Sequence, residues 1–228
     1  MHSYTPKEVA QRLDLAVLKP ESTARDLAEQ AAICVARGVG CLCVRPTDVL
    51  AAVRLLDESD VVVASVVGFP HGNHHCEVMA LESRLAIADG ARELDMVLNS
   101  GALFSGDVTA VRNGIGSVVA ESKPRGVIVK VILETCLLSA SQIELACQIA
   151  EQAGADFVKT STGFGMTSSG PTGATPEAIR IMLDAVGGRI GVKASGGIRN
   201  WADAVRYLAM GCQRLGVGNA TMILDSKP

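Results

Sequence analysis

Short apolar segments alternate with amphipathic segments along the whole chain. Several of the apolar segments have no polar face and are rich in β-branched residues, and the clearest of them spans residues 61–67. Strands of this kind are typical of parallel sheets that are buried on both faces. The pattern predicts eight strands, at residues 13–20, 41–44, 61–67, 93–98, 127–133, 156–159, 191–194 and 213–217.

The amphipathic segments carry residues that commonly begin and end helices. Ser22 or Thr23 is a candidate N-cap for a helix that runs to Arg37, and Gly38 follows its end. Ser141 is the candidate N-cap of a later helix. The predicted helices are short segments near both ends of the chain and residues 23–37, 46–56, 74–88, 108–121, 141–152, 175–186 and 201–210.

Strands and helices that alternate in this way predict a parallel sheet. Eight such units in 228 residues fit a (β/α)8 TIM barrel, and a doubly wound open sheet is the alternative. Similar Gly-Ala segments precede the fourth and sixth strands, which favours a barrel. No linker or low-complexity segment divides the chain, so we predict one domain over residues 1–228.

The composition excludes several classes of protein. Hydrophobic residues make up 48% and charged residues 20% of the chain, as is typical of a globular protein. A net charge of −3 without a basic cluster argues against nucleic-acid binding. No apolar run reaches the length of a membrane span and the first residues do not resemble a signal peptide, so we predict a cytoplasmic protein that binds no membrane. The seven cysteines predict reduced, mostly buried thiols rather than disulfides.

Three of the lysines follow strand-like apolar residues: Lys130, Lys159 and Lys193. A lysine in an apolar interior is costly unless its amine is neutral or paired. A desolvated lysine, or one beside a second cation, can attack a carbonyl group. We therefore predict that Lys159 forms a Schiff base and that Lys193 favours the neutral form of its amine.

The ends of the predicted strands bring further chemical groups to one mouth of a barrel, where the active sites of this fold lie. Two amines and a carboxylate in contact would suit proton transfer. The alternative is a buried Asp–Lys ion pair that only stabilises the core. The candidates that join Lys159 and Lys193 at the mouth are Asp14, Cys43, Asp95 and Lys130.

Glycine-rich turns after the last three strands predict a phosphate site. Their backbone N–H groups can approach an anion closely, and the loops after strands seven and eight hold phosphate in many barrels. Each turn alone is also compatible with a plain strand-to-helix connection. The candidate turns are Thr162-Gly163, Gly196-Gly197 and Gly216 to Asn219, including Gly218.

Three further features have two interpretations each. His71, His74 and His75 suggest zinc, but they crowd one short loop without tetrahedral spacing, so we predict no metal. Cys43 is either a nucleophile with a low pKa or a small core residue, and we favour the second. The polar segment at residues 166–173 is either a mobile lid or a surface insertion.

Characteristic motifs are spread over nearly the whole chain. They are Asp14-Leu15 with Leu18-Lys19-Pro20, Cys43-Val44-Arg45-Pro46, Gly68-Phe69-Pro70-His71-Gly72, Glu93-Leu94-Asp95-Met96-Val97, Lys130-Val131-Ile132-Leu133-Glu134-Thr135, Asp156-Phe157-Val158-Lys159-Thr160-Ser161-Thr162-Gly163 and Val192-Lys193-Ala194-Ser195-Gly196-Gly197-Ile198-Arg199. In these motifs and in their order, the chain resembles the deoxyribose-phosphate aldolase family.

The resemblance implies a class I aldolase on a (β/α)8 barrel that interconverts 2-deoxy-D-ribose 5-phosphate with D-glyceraldehyde 3-phosphate and acetaldehyde. It implies Lys159 as the Schiff-base lysine, Lys193 as the second lysine and Asp95 as the carboxylate of the proton relay. It implies no metal, no organic cofactor and a homodimer. The predicted substrate-binding residues are Asp14, Cys43, Lys130, Thr162, Gly163, Gly196, Gly197, Gly216, Gly218 and Asn219.

The sequence departs from the family at several positions. Ala16 replaces the usual threonine, Phe164 stands where some members have a basic residue, and Gly218 and Asn219 replace serines of the last phosphate loop. Two alternatives follow. One is a Schiff-base aldolase that acts on another or an unphosphorylated aldehyde, and the other is a non-catalytic barrel that binds sugar phosphates.

Overall fold

Eight parallel strands close into a barrel in the computed structural model, which describes residues 4–165, 167 and 172–228. Each strand pairs with its neighbours along the chain, and the last strand pairs with the first. The (β/α)8 prediction is thus confirmed, and the open sheet is wrong. The strands are β1 (Leu13–Val17), β2 (Cys41–Val44), β3 (Val62–Val67), β4 (Glu93–Val97), β5 (Ile128–Ile132), β6 (Phe157–Lys159), β7 (Gly191–Ser195) and β8 (Arg214–Val217).

Helices cover the outside of the barrel. In the described part of the chain they are α1 (Pro6–Ala10), α2 (Ala24–Arg37), α3 (Val49–Leu55), α4 (Cys76–Ala88), α5 (Ser100–Phe104), α6 (Val108–Ser122), α7 (Ala140–Gln152), α8 (Pro176–Val186), α9 (Trp201–Met210) and α10 (Ala220–Asp225). Short 3-10 turns lie at Pro46–Asp48, Lys123–Arg125 and Thr135–Leu137. No helix among the described residues is long and apolar enough to cross a membrane.

The helix ends follow the predicted capping chemistry with one correction. Thr23 caps α2 in a capping box, and Gly38 ends that helix with φ +65°, which glycine adopts without a steric penalty. The cap of α7 is Ser139 and not Ser141, because Ser139 forms the reciprocal pair with Gln142.

Two other predicted boundaries differ from the structure, and one helix was missed. The segment from Pro46 begins as a 3-10 turn before α3, so it is not one continuous helix. The helix predicted from His74 begins at Cys76, because His75 is its N-cap. The short helix α5 was not predicted, and Asn99 caps it.

Alternating side chains along each strand point either toward the helices or into the barrel. The outward side chains form one large apolar core with the helices. The inward side chains of β2 and β3 are small and apolar, and form a separate cluster of Cys41, Cys43, Ala64 and Val66. The remaining strands direct charged groups inward, and these form the site.

Candidate active site

Six strands contribute seven ionisable side chains to one cluster inside the barrel. All are buried except Arg214, which is partly exposed. The strand register places Lys130 beside Asp95 and Lys193 beside Lys159. The cluster consists of Asp14 from β1, Glu93 and Asp95 from β4, Lys130 from β5, Lys159 from β6, Lys193 from β7 and Arg214 from β8.

Asp95 lies at the centre of the cluster. Its Oδ1 accepts a hydrogen bond from Lys130 at 3.0 Å. Its Oδ2 accepts hydrogen bonds from Lys159 and Lys193, both at 2.7 Å. Burial opposes ionisation of this carboxyl group, but the three amines outweigh it and hold the pKa of Asp95 well below its usual range. One ionised oxygen therefore joins the two lysines of the predicted catalytic pair.

Asp14 holds Lys193 from the other side. Its Oδ2 accepts hydrogen bonds from Lys193 and, at 3.2 Å, from Lys130, while its Oδ1 lies 2.7 Å from the Arg214 guanidinium. Burial disfavours the charge of Lys193, but Asp14 and Asp95 outweigh that effect and raise the pKa of Lys193 above its usual value. Lys193 is therefore held as a cation.

Lys130 and Arg214 form the lower part of the cluster. The Lys130 amine donates to Asp14, Glu93 and Asp95, and no part of this lysine is exposed. Burial opposes its charge, yet the carboxylates raise the pKa of Lys130 well above its usual value. Arg214 donates to Glu93 at 3.0 and 3.2 Å. Both groups are held as cations away from the open space of the site.

The cluster contains three carboxylates and four basic groups. If all seven groups were ionised, one positive charge would remain unbalanced in the barrel interior, and a buried net charge is expensive. Lys130, Lys193 and Arg214 each contact at least two carboxylates, whereas among the described residues Lys159 contacts Asp95 only. Lys159 is therefore the basic group with the fewest ionic contacts in the described cluster.

A cavity of about 550 Å³ opens above the cluster, at the C-terminal ends of the strands. Lys159 reaches it from below, and its side chain is 4% exposed. Of the predicted site residues, Asp95, Lys130 and Asn219 do not line this cavity, and Asn219 instead caps α10. Those that do line it are Asp14, Cys43, Lys159, Thr162, Gly163, Lys193, Gly196, Gly197, Gly216 and Gly218.

Two glycine sites shape the cavity wall. Gly196 and Gly197 have φ values of +84° and +78°, which side-chain-bearing residues rarely adopt, so they form a tight turn of exposed backbone after β7. Gly216 lies within β8 rather than in the loop after it. A Cβ atom at position 216 would lie 2.5 Å from Ser195 Oγ and 3.2 Å from Lys193 Cε. The absence of a side chain at Gly216 therefore leaves room for the side chains of Ser195 and Lys193.

Cys41 and Cys43 point into the barrel, and neither thiol has a lowered pKa. Burial raises the pKa of the Cys43 thiol to about 11, and Asp95 adds to the effect. Cys41 lies on the same inward face, and burial also raises its pKa. The geometry thus favours small core residues over nucleophiles.

The histidine loop and the buried carboxylates contain the potential metal ligands considered above. His75 Nδ1 accepts a hydrogen bond from the backbone of α4 at 3.3 Å. In the described part of the chain, three potential ligand atoms lie within 4.8 Å of one another only at Asp14, Cys41 and Glu93. Both of these carboxylates already accept hydrogen bonds from lysine or arginine.

Sequence reasoning missed three residues around the site. Glu93 precedes Asp95 by two positions and Arg214 precedes Gly216 by two, so alternation along β4 and β8 would have indicated both. Glu134 follows β5 and bonds to Thr162. It lies in one of the motifs that carry the family resemblance, but its position there does not indicate a role. The segment at residues 166–173, for which a lid and a surface insertion are the two interpretations, includes Met166 and residues 168–171, which lie outside the described residues.

Comparison with known proteins identifies the family of the chain. A family model described as DeoC/LacD family aldolase matches residues 8–219. A deoxyribose-phosphate aldolase of Mycolicibacterium paratuberculosis is 46% identical over 97% of both chains. A second, from Thermococcus kodakarensis, is 43% identical over 97% of this chain and 98% of that protein.

A solved structure gives the same result for the fold. The deoxyribose phosphate aldolase of Aeropyrum pernix, described as a unique tetrameric structure, superimposes with a TM-score of 0.88 at 32% identity. The superposition covers 97% of this chain and 92% of that one. The barrel, the buried lysine pair and these similarities lead to one conclusion: the chain belongs to the DeoC/LacD family of aldolases.

Proposed function

We propose that this chain is a class I aldolase that reversibly cleaves 2-deoxy-D-ribose 5-phosphate to D-glyceraldehyde 3-phosphate and acetaldehyde, with Lys159 as its nucleophile. The observation that carries the proposal is the placement of Lys159. Its amine faces the cavity and shares Asp95 with a fully buried second lysine. The homologues that share most of this chain are named for the same reaction.

The first step is addition of the neutral Lys159 amine to the aldehyde carbon of the open-chain sugar. The adduct loses water and becomes an iminium ion. Asp95 Oδ2 lies 2.7 Å from both amines, so a proton released by Lys159 has an acceptor that Lys193 also contacts. The cluster holds these three groups in place before substrate arrives, which avoids reorganisation during the reaction.

The second step breaks the bond between C2 and C3 of the sugar. The iminium accepts the electron pair and becomes an enamine, while the 3-hydroxyl loses its proton and becomes the aldehyde of glyceraldehyde 3-phosphate. Protonation of the enamine at C2 and hydrolysis by water then release acetaldehyde and regenerate Lys159. The relay of Asp95 and Lys193 serves these proton transfers.

The phosphate group is assigned to the glycine turns at the cavity wall. Gly196 and Gly197 present backbone without side chains, and Gly163 and Gly218 line the same cavity. Backbone N–H groups in such turns bind anions well. Asn219 is not assigned to the phosphate, because its Oδ1 accepts a hydrogen bond from Met222 N at 2.8 Å and so caps α10.

Reductive trapping tests the proposed nucleophile. The protein is incubated with acetaldehyde and borohydride, and peptides are mapped by mass spectrometry. We expect an ethyl adduct on Lys159, and no adduct in Lys159→Met. Lys19 also lines the cavity, so Lys19→Met is the matched control and should leave the adduct on Lys159.

Two results would refute this function. An adduct confined to Lys19, or no adduct on protein shown to be folded, would remove Lys159 as the nucleophile. Equal catalytic efficiency with 2-deoxyribose and its 5-phosphate would keep the Schiff base but refute the phosphate assignment. It would then favour an aldolase of unphosphorylated aldehydes.

The organisation and setting of the enzyme belong to the same proposal. The barrel draws strands from residues 13 to 217, which supports a single domain over residues 1–228. We assign the protein to the cytoplasm and expect it to self-associate. The Aeropyrum pernix protein is described as a tetramer, whereas the family resemblance implies a dimer. Light scattering after size-exclusion chromatography distinguishes these states.

A further inference from the structure

Glu134 combines a buried carboxylate with an unusual backbone conformation. It follows β5 at the C-terminal end of the barrel and is 5% exposed. Its φ and ψ are +54° and +61°, in the left-handed region that residues with side chains rarely enter. Glu58 is the other described non-glycine residue with positive φ, and it lies in an exposed turn. A buried glutamate in this conformation indicates a constraint imposed by its contacts.

The carboxylate of Glu134 binds the turn that follows β6. Its Oε2 accepts hydrogen bonds from the Thr162 backbone N–H, at 3.2 Å, and from the Thr162 hydroxyl. The Thr162 hydroxyl oxygen in turn accepts a hydrogen bond from Phe164 N at 3.0 Å. A chain of three hydrogen bonds therefore runs from Glu134 through Thr162 to Phe164.

The second carboxylate oxygen of Glu134 contacts Cys136, and Gly165 packs against the same carboxyl group. Cys136 Sγ lies 3.7 Å from Glu134 Oε1. A Cβ atom at Gly165 would lie 3.0 Å from this carboxyl group and 3.1 Å from the Cys136 sulfur. Glycine at position 165 therefore allows the turn to pack directly on Glu134.

The turn held in this way lines the cavity above Lys159. Thr162, Gly163 and Phe164 all belong to the cavity wall. The Phe164 ring also meets the Phe69 ring edge-to-face, with 5.3 Å between centroids, which joins the turn to the loop after β3. Glu134 itself is not part of the wall, so it can affect a ligand only through this turn.

We infer that Glu134 is a positioning residue that fixes the Thr162–Phe164 turn in the conformation that binds the phosphate end of the substrate. The inference rests on the proposed function, because it takes the phosphate at this part of the cavity. The strained left-handed backbone at Glu134 then serves substrate affinity and not the chemistry at Lys159.

The variant Glu134→Gly separates the carboxylate from the backbone conformation. Glycine adopts φ near +54° freely, so the chain keeps its path while the hydrogen-bond acceptor is lost. Glu134→Gln is the conservative variant, because its amide oxygen can still accept from Thr162. The readouts are kcat and KM for 2-deoxyribose 5-phosphate, and kcat/KM for 2-deoxyribose.

We expect Glu134→Gly to raise KM for the phosphorylated sugar about tenfold with kcat within about twofold of the wild type. Its kcat/KM for 2-deoxyribose should stay unchanged, because that sugar has no phosphate for the turn to bind. Glu134→Gln should restore KM to within about threefold of the wild-type value.

Asp156 supplies a matched control. Its carboxylate accepts a hydrogen bond from Val129 N at 2.8 Å and so joins the same two strands, β5 and β6, at the opposite end of the barrel. Asp156→Ala removes a carboxylate-to-backbone contact as Glu134→Gly does. It should change the melting temperature without changing the ratio of KM values for the two sugars.

The outcomes separate the alternatives. Unchanged KM in Glu134→Gly would overturn the positioning role. An equal loss of kcat/KM for both sugars, with no recovery in Glu134→Gln, would also overturn it and indicate a purely structural residue. A wild-type protein that releases no acetaldehyde from 2-deoxyribose 5-phosphate would instead refute the proposed function before any variant is compared, and the positioning role would fall with it.

Discussion

Replacing Lys193 by methionine removes one charge from the centre of the cluster while keeping an unbranched side chain. Lys193 is fully buried and bonds to Asp14 and Asp95. In the variant, Asp14 still contacts Lys130 and Arg214, and Asp95 still contacts Lys130 and Lys159. No buried charge is left unpaired, so we expect a stability loss of about 1–3 kcal/mol and a folded protein.

The catalytic effect follows from charge balance. Without Lys193, three carboxylates face three basic groups, so the cluster is neutral when Lys159 carries its proton. The two amines bond to the same Asp95 oxygen at 2.7 Å, so they are at most about 5.4 Å apart. At an effective dielectric constant of about 20, the lost repulsion between the two amines is about 3 kcal/mol, or about two orders of magnitude in an equilibrium constant.

The assay is kcat/KM for 2-deoxyribose 5-phosphate between pH 6 and 9, together with the rate of borohydride trapping by acetaldehyde. Lys193→Met should lose about 100-fold at pH 7 in both measurements. Activity should recover by up to about tenfold for each unit of higher pH, because deprotonation restores the nucleophile. Lys123→Met removes the same charge from an exposed lysine and should behave as the wild type.

Two results would refute this reasoning. Near-normal turnover at pH 7 would show that Lys193 does not control the nucleophile. A loss of the same size at every pH, with normal trapping, would show that Lys193 acts later in the reaction, in proton transfer to or from the substrate.

Three further predictions concern the same cluster and its walls. Cations hold the pKa values of Asp14 and Asp95 below the usual range, so their contribution to stability is complete above about pH 4 and is lost as the pH falls toward the folded-state values; urea unfolding from pH 7 to 2 should show this decline, and a flat profile would contradict it. Gly216→Ala should destabilise the fold by about 1–3 kcal/mol and slow trapping, because its Cβ would lie 2.5 Å from Ser195 Oγ; unchanged unfolding and trapping would refute the packing argument. Burial raises the pKa of Cys43 to about 11, so iodoacetamide at pH 8 should leave this thiol unmodified in peptide maps of the folded protein, and rapid alkylation would contradict its assignment to the core.

Most of the barrel could be predicted because its strands are short apolar runs between capped helices. The errors in helix boundaries arose where two local sequence signals indicate different starting residues. Ser139 and Ser141 are equally good caps by residue type, and Gln142 at the third helical position decides for Ser139. The five-residue helix α5 lacks a full amphipathic repeat, so its apolar pattern gave no signal.

The sequence placed several lysines and carboxylates at one mouth of the barrel, but it did not indicate how deep each side chain lies. The positions of Lys159 and Lys193 at strand ends pointed to a shared mouth, and the register places them side by side. The height of an inward residue depends on the stagger between strands, which the sequence does not state. Lys130 therefore lies inside the ion cluster and not against the cavity. Glu134 was missed because nothing in a glutamate signals a left-handed backbone.

The ion cluster also links the chemistry of the site to the closure of the barrel. Asp14 and Arg214 bond to each other across 200 positions of sequence, from the first strand to the last. A barrel without β8 would leave Asp14 and Glu93 without their contacts to Arg214, and removing one partner from a buried ionic cluster is costly. Pairings between residues this far apart in sequence also slow the folding of a domain. The strand that closes the barrel therefore also completes the charged surroundings of the nucleophile.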